Sequence, residues 1–473
     1  QKYMLSTCHA KSNFFSCFFF SKQFLKLSHL LDKHRISRIF LLALPIIGAM
    51  VSQNILNLVD TAMVSRLDNS NAALAAIGLG GFVLFFWQAL LLGFSTGVQA
   101  SASRAKGKGD LQKLAYTLNA ALLIIFIASP FLTLGLTFVT PYLFPILNSD
   151  VKVSELGIPY LQIRSIGIIF TAMNFAFRGY WNAIDMTWLY MKTIVSMHLL
   201  NILLNYILIF GNFGAPKLGV EGAAIASVVA LSFGTLSYFI LGMRHARKQG
   251  FLQALPSIGS NIKLVKLSLP NGIQQLFFAA GFIVMFWIIG LIGVAEVAAG
   301  NILINLWLIV LLPGMGMGLA AATLVGQALG AKNVDDASAW GWDVVKLAFI
   351  TMVLIGAPMV IVPESILSVI FSLEPETLKL AIWPVRLIGL CTIYEAIGVV
   401  LQAALLGAGD TRRVMRVVVL GQWLIFLPAA YYAGPMAGYG LGAIWLLQFI
   451  YRILQTSIFV SYWTRRKWAK III

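Results

Sequence analysis

In the stretch NILNLVDTAMVSRL (Asn54–Leu67) an aspartate, Asp60, sits inside a run otherwise suited to hydrocarbon. An ionisable side chain in such a place costs ~3 kcal/mol on insertion scales and is retained where it moves a proton, holds a cation or is paired. Gln53, Asn57, Asp60 and Thr61 recur in steps of three and four, so a helix gathers them on one face. The segment NILLN sets Asn201 and Asn205 on one face of a second run, with His198 a turn earlier. A carboxylate with amide oxygens beside it is the ligand set that a hard cation such as Na+ accepts, and the carboxyl alone can carry H+. For the two asparagines, hydrogen bonding between helices is the competing use.

A second carboxylate, Glu395 in CTIYEAIGVVLQ, has Gln402 two turns along the same face; its structural alternative is a pair with Arg386 or with another helix. Asp185 and Asp410 stand beside basic residues at the ends of runs, where topological or gating salt bridges are expected. The cysteines Cys8, Cys17 and Cys391 show no paired spacing. No phosphate loop, metal motif or nucleophile set is present, so neither an enzyme nor a cofactor is expected.

The elements that position these groups follow from composition. Of the 473 residues, 59% are apolar and 11% charged, with a mean hydropathy of +0.87; a soluble domain carries roughly 25% charge. Windows of ~20 apolar residues give twelve spans, starting near Phe40, Ala73, Leu114, Gly157, Trp188, Leu218, Leu264, Val297, Trp340, Ala381, Val414 and Tyr439. Runs so long and so uniformly apolar satisfy their backbone as helices and not as barrel strands, which makes the fold class an all-α integral membrane protein. Pro45, near the start of the first run, lacks an N–H and makes a bend there plausible.

The formal charge of +17 lies in alternate connections, for example Arg104, Lys106, Lys108 and Lys113, then Arg244, Arg247 and Lys248, then Arg465, Arg466, Lys467 and Lys470. The other connections carry only Arg66, Lys152, Lys217 and Lys379. This is the positive-inside pattern; it places both termini in the cytoplasm and gives no reason to expect nucleic acid. Residues 1–32 are expected to be an unstructured tail, a misassigned start or a weak interfacial segment, since the apolar run Phe14–Phe20 is too short to span.

The chain also repeats itself. LALP (Leu42–Pro45) recurs as LSLP (Leu267–Pro270), RSIG at Arg164 as RLIG at Arg386, and AIDMT around Asp185 as GAGDT around Asp410; the first and last of these are shifted by 225 residues. Gly93–Asp110 resembles Gly314–Asn333, small residues followed by a Gly-rich basic turn. Two six-helix lobes follow, 33–243 and 264–473, joined by a basic linker over 244–263. Six is even, so the repeats are parallel about an axis along the membrane normal.

The strings LALP, NLVDTAMVSRL, GKGD, RGYWNAIDMT, NILLNYILIFG and LGVEGAAIAS, with their second-half copies, resemble the multidrug and toxic compound extrusion (MATE) transporters over roughly residues 33–465. The resemblance implies a two-lobe exporter of drugs or toxic, often cationic, organic compounds. It would work by antiport with H+ or Na+ and alternating access, in a bacterial inner membrane and as a monomer. It assigns coupling to Asp60 with Asn201, Asn205 and the hydroxyl of Ser227, and bending to Pro45. Glu395 with Gln402 becomes a second-lobe candidate, although Phe278 stands where the NorM-like branch has an acid on its seventh helix. Gln53, Asn57, Asn174, Phe278, Met285 and Met315 are candidates for lining the substrate cavity. Rival readings are a flippase for lipid-linked saccharides, which should favour a strongly cationic cavity, and a membrane enzyme acting on lipids, which needs a clustered acid–base set.

Overall fold

The computed structural model describes residues 32–67, 69–371 and 375–471, and among them it contains helices and no strand. The N-terminal tail expected over 1–32 lies, but for Asp32, outside the described residues. Twelve spans follow in order: Lys33–Val64, Ser70–Gly107, Tyr116–Leu147, a broken fourth span (Val151–Ile166 and Ile168–Ala183), Thr187–Phe210, Gly219–Leu241, Ile258–Gly290, Val294–Gly330, Val334–Ile361, Pro375–Gly407, Thr411–Met436 and Gly440–Thr464. A short helix, Pro363–Ile370, precedes the tenth span. Where the sequence suggested one uninterrupted fourth run, the axis turns by 46°. The break falls at Gly167, whose own amide bonds back to the carbonyl of Arg164.

The first span shows how sequence becomes geometry. Asp32 caps it by accepting from the His34 amide. Its 32 residues give about 48 Å of helix, well beyond the ~30 Å of hydrocarbon, so its Lys33–Arg38 end projects past the apolar layer. The helix continues through Pro45, whose ring is buried. Pro45 cannot donate to the carbonyl of Leu41; the hydroxyl of Thr187 on the fifth span donates to it instead, at 3.3 Å.

The lobes interlock at their basic ends. Ile39, Leu42 and Ala43 of the first span belong to the apolar core of the second lobe, whereas Ala49 belongs to the core of the first. Reciprocally, Leu264 of the seventh span is buried in the first lobe. Glycines make the crossings close: a Cβ on Gly93 would lie 2.3 Å from the Ser268 carbonyl oxygen, and one on Gly107 would lie 1.9 Å from that of Gln327. The linker does not hang free. Phe251 is fully buried in the first lobe, and the seventh helix already begins at Ile258.

Polar contacts seal the same end. Arg35 bonds Asp336 at 2.9 Å and Asp343 at 2.8 Å, with its guanidinium 3.8 Å from the Trp340 ring centre. Arg38 donates to Gln327 at 2.6 Å. Asp185, which the sequence marked for a gating salt bridge, accepts from Lys106 at 2.7 Å and Gln327 at 2.8 Å. Its repeat mate Asp410 pairs with Arg413 at 3.0 Å; burial pushes the Asp410 carboxyl above the ordinary range, against the pull of Arg413. Towards the opposite end, Gln53, Asn57 and Thr61 of the first span and Asn301 and Asn305 of the eighth are exposed. Polar groups at membrane depth face a water-filled space and not lipid, which sets the aqueous faces of these two helices away from the sealed basic end.

Candidate coupling and substrate site

The first, fifth and sixth spans bring four expected residues together. The Asn205 amide donates to Asp60 Oδ1 at 2.6 Å and to Asn201 Oδ1 at 3.1 Å, and Asn201 donates to Ser227 Oγ at 3.3 Å. With the Asn201 amide turned over, its nitrogen lies 3.2 Å from Asp60 Oδ1 and its oxygen accepts from the Ser227 amide. Asn201 and Asn205 are buried; Asp60 is half-buried and Ser227 likewise. Asn205 Oδ1 is buried with no hydrogen-bond partner, an unused hard oxygen beside a carboxylate. Such an atom suits either a cation or the O–H of a protonated acid.

The cluster does not lie at mid-span. Asp60 is four residues from the end of its helix at Val64, about 6 Å along the axis, because the apolar run extends far toward the basic end. Arg164 of the fourth span forms no ion pair with Asp60 within 4.0 Å; its Nε is buried without a hydrogen bond.

A second polar set adjoins the first along the same helix face. His198 Nδ1 is 3.0 Å from Ser52 Oγ and Nε2 is 3.2 Å from Gln53 Oε1, while Gln53 donates to Asn57 Oδ1 at 3.1 Å. An amide oxygen only accepts, so Nε2 carries the proton in this arrangement. His198 thus ties the fifth span to the first by hydrogen bonds.

The other cavity candidates separate by burial. Gln53, Asn57 and Met315 are exposed, and Phe278 is half-buried, edge-on to Phe282 with ring centres 5.0 Å apart. Asn174 is not a lining residue: it donates to the Leu231 carbonyl at 3.2 Å and accepts from Thr235 at 2.9 Å inside the first lobe. Met285 is also withdrawn from the cavity, 5% exposed in the second lobe's core. Hydrophobicity and register cannot distinguish a cavity wall from a core wall; neighbouring helices decide it.

Glu395 has a partner that sequence reasoning missed. It is 1% exposed and binds Arg452 of the twelfth span through both oxygens, one N–O distance being 2.5 Å; Arg386 is exposed and takes no part. Gln402 is half-buried and outside this pair. The signal was present: an arginine at the centre of QFIYRILQ is as costly in hydrocarbon as an aspartate.

Twelve spans in two interlocked lobes enclose a polar site in the membrane, an arrangement with known relatives. The family model MatE matches residues 45–207 and 270–432, two copies shifted by 225 residues, and the chain belongs to this family of membrane transporters. A probable multidrug resistance protein NorM from Thermotoga maritima is 28% identical over 445 residues, covering 91% of this chain and 92% of the relative. The multidrug resistance protein MdtK of Yersinia enterocolitica is 24% identical, with 83% and 86% covered. Among solved structures, a MATE transporter in the bent conformation gives a TM-score of 0.83 at 20% identity, covering 91% and 95% of the two chains. An outward-facing multidrug resistance MATE family transporter gives 0.82 at 21%, with 92% and 96% covered.

Proposed function

We propose that this protein exports drugs or other toxic organic compounds from the cytoplasm by antiport with H+ or Na+, its two lobes alternating access to one path. The bacterial NorM and MdtK relatives support the substrate class and an inner-membrane location. The basic end is then cytoplasmic, and the protein works as a monomer. The observation that carries the coupling is the Asp60 carboxylate held by Asn205 at 2.6 Å beside the unpartnered Asn205 Oδ1.

Ionised, Asp60 accepts from Asn205. A proton or Na+ arriving from the side opposite the basic end cancels its charge, weakens that charge-assisted bond and lets the first and fifth spans re-pack. Pro45 gives the first span its weak point, with the Thr187–Leu41 contact as the brace that yields when the helix bends. Bending narrows the first lobe's cavity and releases the exported compound. One charge moving down the membrane potential supplies ~2.3 kcal/mol per 100 mV, about a fifty-fold gradient of a neutral substrate.

The test is dye efflux by purified protein in proteoliposomes, run with a Na+ gradient and with a pH gradient separately. One of the two should drive export in the native chain and fail to do so in Asp60→Asn. Normal export by Asp60→Asn would refute the mechanism.

A further inference from the structure

We propose that Arg452 is the resident counter-cation of the second lobe: it holds the place an exchangeable ion would need at Glu395, so the transporter couples through the first lobe alone. This rests on the antiport reading above.

Both residues of the pair lie deep in the membrane. Arg452 is twelve residues from each end of Gly440–Thr464, about 18 Å along the helix, and its side chain is 9% exposed. Glu395 Oε1 accepts from Arg452 Nε at 2.5 Å, from Trp307 Nε1 at 3.3 Å and from Cys391 Sγ at 3.9 Å. Its other oxygen accepts from Arg452 Nη2. The remaining guanidinium nitrogen donates to Gln455 Oε1 at 2.5 Å, and Gln455 donates to the Tyr451 hydroxyl at 2.8 Å. Trp307 lies beside the pair, its ring centre 5.9 Å from the guanidinium carbon. Both Glu395 oxygens thus have donors.

A guanidinium stays protonated at any physiological pH. It is tethered, bidentate and matched in charge, so Na+ would have to eject it, and a proton would have to break two charge-assisted bonds. The repeat supports the same division. The residues equivalent to Asp60, Asn201 and Asn205 under the 225-residue shift are Met285, Phe426 and Ala430, all buried. The second lobe therefore lacks the polar cluster of the first, and Glu395, its carboxylate deep within a span, comes already neutralised.

The experiment compares the native chain, Asp60→Asn, Arg452→Met, and the double variant Glu395→Leu/Arg452→Met. Removing one partner strands a buried charge and threatens folding, whereas removing both does not; the double variant keeps the test decisive. In proteoliposomes it should retain ion-driven efflux, with the half-saturating ion concentration within about two-fold of native and an unchanged stoichiometry. Loss of ion dependence in a double variant that is monodisperse and still binds dye would overturn the proposal. Infrared titration supplies a readout independent of transport. A protonated-carboxyl band that vanishes with Glu395→Gln should be absent from the native protein and present in Arg452→Met; finding it in the native protein would also overturn the proposal. If no ion drives export in any form, the antiport reading fails, and the infrared result still judges Arg452.

Discussion

The seal at the basic end makes a quantitative prediction. Arg35→Gln removes two charged contacts that join the lobes, to Asp336 at 2.9 Å and Asp343 at 2.8 Å, and the stacking over Trp340. Exposed ion pairs contribute about 0.2–1 kcal/mol and desolvated charged hydrogen bonds about 1.5–3. Arg35, Asp343 and Asp336 have side-chain exposures of 22%, 15% and 35%, between those limits, so about 1 kcal/mol per contact is appropriate. Cation–π stacking adds about 0.5–1 kcal/mol. The total, about 2.5–3 kcal/mol, corresponds to a shift of about 60- to 150-fold in the ratio of closed to open basic ends. Spin labels on cysteines placed at Lys248, in the linker where it packs on the first lobe, and at Lys332 on the second lobe should report a longer distance population in Arg35→Gln that is small in the native chain. The charge-removing Asp336→Asn/Asp343→Asn variant should produce the same population. An unchanged distance distribution in both would refute the view that these pairs hold the lobes together.

The remaining predictions concern individual contacts. Asn205→Ala removes the 2.6 Å donor to Asp60; losing one charged hydrogen bond, about 1.4 kcal/mol, should change the half-saturating ion concentration by about ten-fold. Gly107→Val drives a side chain into the Gln327 carbonyl, 1.9 Å from the ideal Cβ, and should wedge the basic end apart, exposing a cysteine at Thr323 to thiol reagents. Thr187→Val removes the only side-chain donor described for the Leu41 carbonyl and should cost about 0.5–1.5 kcal/mol of stability, measured by thermal unfolding, with Thr187→Ser close to native. Arg452→Met should destabilise by about 3–5 kcal/mol, and the Glu395→Leu/Arg452→Met double variant by much less, in the same assay.

The sequence by itself determined the class of fold. Apolar runs of spanning length, alternating basic connections and a 225-residue repeat leave few arrangements open, because hydrocarbon punishes any unsatisfied backbone and any misplaced charge. It also marked Asp60, Asn201 and Asn205, since a polar group in a membrane helix stands out whatever surrounds it. Tertiary structure decided how these groups are used. Asp60 lies about one turn from its helix end because most of the 32-residue first span runs on toward the basic end. The inner half of that span belongs to the second lobe's core, a crossing that no periodicity reveals. Asn174 and Met285 turned inward, and Glu395 found Arg452, 57 residues away on another helix. Helical periodicity specifies the face a residue occupies; the partner that face meets depends on packing between segments far apart in the chain. That packing separates a carboxylate with a free oxygen beside it from one already neutralised.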